Sequence, residues 1–154
     1  MNTQRPGPQP DLVAQLRRWV LVVFVLGALG TIVELILLEH YEEPPQLIPD
    51  ILLVGSLAAL GWHLRVDSAT TRRCFLALMA LFVVSGFVGF VAHFSGSAEF
   101  QLELNPDMDT WTLLTKILHA KAPPLLAPGM MIQLGLLGLA YLYSDSRYRK
   151  NQGT

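Results

Sequence analysis

Four apolar runs, each about as long as a bilayer's hydrocarbon core is thick, constrain this chain more than any other feature. They cover residues 19–38, 47–64, 74–94 and 125–143. A helix rises about 1.5 Å per residue, so about twenty residues cross the ~30 Å core. Inside hydrocarbon the backbone must satisfy its own hydrogen bonds, which leaves helices or closed barrels. Continuous apolar runs, without strand-like alternation, select helices. The sequence therefore predicts an all-α integral membrane four-helix bundle occupying residues 19–144. Only 15% of the residues are charged and 52% are hydrophobic, against about 25% charged in a typical soluble domain. The net charge of −1 provides no field to recruit nucleic acid.

Lys and Arg set the orientation. Arg5, Arg17 and Arg18 precede the first run. Arg65, Arg72 and Arg73 separate the second and third, and Arg147, Arg149 and Lys150 follow the fourth. Alternate segments place these nine of the eleven basic residues on one side. Only Lys116 and Lys121 fall on the other, among Glu39, Glu42, Glu43, Asp50, Glu99, Glu103, Asp107 and Asp109. The pattern predicts both termini in the cytoplasm, with a tail at 1–18 and another at 145–154. A bacterial inner membrane is the expected location. The first run is longer than a signal-peptide core, and Glu39-His40-Tyr41-Glu42-Glu43 follows it where small residues would mark cleavage, so it reads as an uncleaved anchor. The Pro- and Gln-rich first ten residues read as a disordered tail. Trp19, Trp62, Tyr141 and Tyr143 fall where inner-face anchors belong, with Tyr41 and Phe94 at the outer face. Cys74 is the one cysteine; it reads as a small hydrophobe.

Lipid removes most of the hydrophobic drive between helices, so small residues must admit close approach. The pairs Gly27/Thr31, Gly55/Ala59, Ser85/Gly89 and Gly135/Gly138 supply such notches, one per span. They serve ordinary bundle packing, or self-association and docking of another membrane subunit.

The outer loop at 95–124 is the only long connection. Asp109 is placed to cap a short helix from Thr110 to about Lys121, with Trp111, Leu114, Ile117 and Leu118 on one face, lying in the outer interface. The alternation over Glu99-Phe100-Gln101-Leu102-Glu103-Leu104 reads as a short extended segment. An internal echo precedes the second and fourth runs: His40-x3-Pro44-Pro45 with Pro49, and His119-x3-Pro123-Pro124 with Pro128. It marks two similar helix starts, where proline's missing N–H costs nothing, or two related hairpins.

Glu34 and Gln133 are the strongly polar residues inside runs. A carboxylate about 6 Å below Leu38 is expensive, so it is expected to face the bundle or a wet cavity, paired with Gln133 or Ser85, or handling protons. His40, His93 and His119 share the outer side. With Glu34 they could ligate zinc, copper or iron, and a histidine pair could ligate a b-type haem. No HExxH, ExxH or haem-attachment spacing supports this. His63, beside Trp62 and Arg65, reads as an interfacial anchor. No GxSxG, phosphate loop or nucleotide motif is present, so an enzyme is not the leading expectation and no cofactor is specified. Three readings follow: a non-enzymatic accessory or structural subunit of a membrane assembly, a metal or haem protein, and an oligomeric transporter or channel.

Overall fold

The computed structural model describes residues 12–40, 42, 44–119 and 126–152, with side chains to 144. Residues 1–11, Tyr41, Glu43, Lys121 and the Pro123–Pro124 pair lie outside the described residues, as does Leu125, the expected first residue of the fourth run.

Among the described residues there are five α-helices: α1 (Leu12–Leu37), α2 (Leu47–Arg65), α3 (Ala69–Leu104), α4 (Thr110–Leu118) and α5 (Leu126–Gln152), with a 3-10 turn at Pro44–Gln46 before α2. No strand occurs among the described residues. Four helices, all but α4, are long and apolar enough to cross a membrane. They form a ring in which α1 packs on α2, α2 on α3, α3 on α5 and α5 back on α1. One end of the ring carries Arg17, Arg18, Arg65, Arg72 and Arg73. The other carries Glu39, Asp50, Glu99 and Glu103.

The bundle is apolar on both its faces. Phe24, Leu53, Phe75, Met79, Phe82 and Leu134 fill the axis, nearly inaccessible. Leu26, Leu29, Val33 and Ile36 on α1 and Val84, Phe87, Val88 and Val91 on α3 point outward. In water such a surface would drive association; against acyl chains it is matched to its solvent.

The closest seam joins α3 to α5. A Cβ on Gly86 would lie 2.5 Å from Ile132 Cγ1 and 2.7 Å from the Pro128 carbonyl oxygen. One on Gly135 would lie 2.9 Å from the Met79 carbonyl oxygen, and one on Gly138 would run into the Met79 thioether. Gly27 meets Leu134 in the same way across the α1–α5 contact, and Gly89 lies beside Pro128. Thr31 is buried and donates to the Gly27 carbonyl oxygen at 2.8 Å. Ala59 is buried on α2, whereas Gly55 has open space where a Cβ would stand. Ser85 is half-buried, next to the residue that makes the closest approach.

Local signals account for the helix ends. Ser68 caps α3: its hydroxyl accepts from the Thr71 N–H, and the Thr71 hydroxyl accepts from the Ser68 N–H, a reciprocal capping box. Pro49 and Pro128 each occupy the third position of their helix, where an N–H has no intrahelical partner. The echoed proline is thus realised as two like helix starts.

α3 is longer than its apolar run. Its 36 residues extend about 54 Å, well beyond the ~30 Å hydrocarbon core. The stretch 99–104, expected to be extended, forms its last turns. Alternation over six residues cannot outweigh an uninterrupted helix already nucleated upstream. After the turn at Pro106–Asp107 the chain returns as α4, which packs on α3 and has Ile117 buried. Asp109 caps α4, accepting from the Trp111 and Thr112 N–H groups at 3.1 Å each. Hydrogen bonds from the Thr112 side chain and backbone hold the Asp109 carboxyl below the usual carboxylate range.

The seam makes a direct prediction. Gly86→Ala meets a backbone carbonyl that cannot move aside, and overpacking of this kind costs about 1–3 kcal/mol. Its melting temperature in detergent should fall clearly below that of the parent, whereas Gly55→Ala should match or slightly exceed it. Equal melting of the two variants would mean that α3 and α5 do not approach this closely.

Candidate functional site

Polar chemistry is concentrated at the two ends of the ring. At the acidic end, α1 stops in a Schellman closure: the His40 N–H donates to the Leu35 carbonyl oxygen at 2.9 Å and the Glu39 N–H to that of Ile36 at 3.1 Å. The closure needs a left-handed residue at its turn, and Glu39 takes it with φ 53° where glycine is usual. The turn brings His40 against His93 of α3. The two rings stack with centroids 6.0 Å apart and planes 27° from parallel. Asp50, in the first turn of α2, lies within electrostatic reach of His40. Three elements, the α1 turn, α2 and α3, thus contribute one ionisable group each.

The other two residues expected with this pair do not join it as ligands. His119 is exposed beyond the last turn of α4, and its Nδ1 lies 2.8 Å from the Thr115 carbonyl oxygen, the arrangement of a donor that closes its own helix. Glu34 is exposed on the outside of α1. Among the described residues no three His, Cys, Asp or Glu side chains converge closely enough to hold a metal ion.

Gln133 is exposed on the outside of α5, so neither it nor Glu34 faces the bundle interior. Each sits four residues after an exposed glycine with open space around it, Gly30 for Glu34 and Gly129 for Gln133. Residues four apart share a helix face. These two glycines were not among the expected packing residues. Their spacing from the two polar residues was the available signal.

At the Arg-rich end two expected anchors turn inward. His63 is only 3% exposed and Tyr141 5%. The Thr71 hydroxyl donates to the Val66 carbonyl oxygen at 2.8 Å, which leaves it to accept from His63 Nδ1–H at 3.2 Å. His63 therefore ties α2 to the start of α3 and is no surface anchor. Its ring meets Tyr141 edge-on at 6.4 Å, Tyr141 meets Phe75 likewise, and Phe75 meets Phe24 at 5.7 Å. The Arg17 guanidinium lies 5.5 Å from the Tyr141 ring centroid. Arg72 donates to the Leu142 carbonyl oxygen at 3.2 Å. Trp19 and Trp62 remain exposed, as interfacial anchors would be, and so does Tyr143. No protein family, curated protein or solved structure matches this chain.

The Schellman turn can be tested by relieving its strain. A non-glycine residue in the left-handed region costs about 1 kcal/mol or more, so Glu39→Gly should raise the melting temperature by a few degrees. A lower melting temperature would mean that the Glu39 side chain contributes more than closure of α1.

Proposed function

We propose that this chain is a non-enzymatic accessory or structural subunit of a membrane assembly. The observation that carries the reading is the pairing of polar and small residues on outward faces, Gly129 with Gln133 and Gly30 with Glu34. A primary amide in mid-span is costly against acyl chains, and such residues normally face protein. A glycine one turn away lets a second helix approach, and an interhelical hydrogen bond there is worth about 0.6–2 kcal/mol. Another subunit or a second copy of this chain would meet both needs. A filled axis of Phe24, Phe75, Met79 and Phe82 makes the transport reading dependent on a pathway between copies.

The metal or haem reading rests on the stacked His40–His93 pair, which gives two imidazoles and no third ligand among the described residues. One preparation separates the two readings. Gently extracted from its own membrane, the protein should run on a sizing column with other subunits or as an oligomer, colourless and without stoichiometric metal. A photo-crosslinking side chain at Gly129 should capture a neighbour, and one at Val84, exposed on α3, should not. A monomer that captures nothing from Gly129 would remove the assembly reading. A haem absorption band or stoichiometric metal would move the function to His40 and His93.

We place both termini in the cytoplasm of a bacterium and α4 in the outer interface. The support is the Lys/Arg asymmetry, with Trp111 and Leu118 exposed on α4 while Ile117 packs inward. A reporter enzyme active only outside the cytoplasm should work when fused after Asn105 and fail when fused after Asn151. The reverse pattern would invert the topology.

A further inference from the structure

The Arg-rich end contains a cleft of about 320 Å³ between α1, α2 and α5. Ala14, Arg17, Arg18 and Leu21 line it from α1, Leu64 from α2 and Tyr141 from α5. The four α1 residues follow the spacing of a single helix face. Two features make this more than a region rich in arginine. The Arg17 guanidinium is held beside a ring that is itself fixed, because Tyr141 is wedged edge-on between Phe75 and His63. A guanidinium held against a fixed ring has less freedom left to lose when it takes up a hydrogen bond. The cleft also has two characters: Arg18 adds a second, exposed guanidinium, while Ala14, Leu21 and Leu64 form an apolar wall.

We propose that this cleft binds the phosphate of an anionic phospholipid, with the first methylenes of the lipid against the apolar wall. Two guanidiniums match the charge and geometry of phosphate oxygens. Basic pockets between membrane helices are suited to such head groups. The exposed Trp19 and Trp62 fall at the same end, the depth at which head groups lie. Free phosphate shares the anionic chemistry but has no use for the wall formed by Ala14, Leu21 and Leu64, and this favours the lipid. The inference is independent of the assembly reading.

The test uses the full chain in phosphatidylcholine nanodiscs with phosphatidylglycerol added, read by native mass spectrometry after release into mild detergent. The parent should retain one phosphatidylglycerol per chain. Arg17→Gln and Arg18→Gln should each weaken retention at least tenfold, whereas Arg73→Gln, an exposed arginine outside the cleft, should leave it unchanged. Ala14→Trp fills the cleft with every charge in place, so it should lose the lipid while keeping the parent's helical circular dichroism. This second variant decides the matter if Arg17→Gln fails to fold. Equal losses in the Arg73 and Arg17 variants would reduce the effect to general charge attraction and overturn the site, as would full retention by a folded Ala14→Trp. Displacement of the lipid by millimolar inorganic phosphate would overturn the assignment of lipid as the ligand.

Discussion

Hydrocarbon offers a backbone no hydrogen-bond partner, and that constraint shapes the rest of the molecule. Each long segment closes its hydrogen bonds within itself, and the resulting helices are apolar on all sides. Burial of apolar surface cannot then choose which sides meet, because lipid is as good a solvent for leucine as leucine is. Shape must choose instead. The α3–α5 seam, where Gly86, Gly135 and Gly138 bring one backbone against the other, is the point of closest fit. Phe75, Met79 and Phe82 are buried along the same helix.

The two ends of the ring are built differently. At the Arg-rich end, aromatic and polar groups interlock from Phe24 through Phe75 and Tyr141 to His63, and Arg72 bonds the backbone of α5. At the acidic end α3 runs on past the ring and α4 folds back on it. His40 and His93 stack there with His93 exposed. One end is therefore bound to its neighbours from several directions, and the other offers ionisable groups to its surroundings.

What the sequence could convey follows from these differences. The four long apolar helices were legible because length and apolarity are properties of a run and need no knowledge of neighbours. Asp109 was legible as a cap because capping is local. The meeting of His40 and His93 was partly legible, since both lie near the acidic ends of their apolar runs. Helix faces were not. The Ser85/Gly89 pair lies beside the residue of closest approach, Gly86, and Gly55 faces open space. His63 and Tyr141 resemble anchors by position but are drawn inward by Thr71 and Phe75, partners that only the packing supplies. Helices without an amphipathic pattern carry little information about which side turns inward.

That gap bears directly on the polar residues. The buried ones are satisfied at home: Thr31 donates to the Gly27 carbonyl, Ser56 to that of Leu53 and Thr71 to that of Val66, while His63 is matched by Thr71. Glu34 and Gln133 stand on the opposite surface, where the solvent is lipid and the energetic pressure to find a partner is greatest for Gln133, the deeper of the two. Glu34 lies about one turn from the end of α1 and can extend toward the interface. Gln133 is seven residues past the start of α5 and cannot reach that interface with its short side chain. Of the two, the amide is therefore the costlier to leave facing acyl chains.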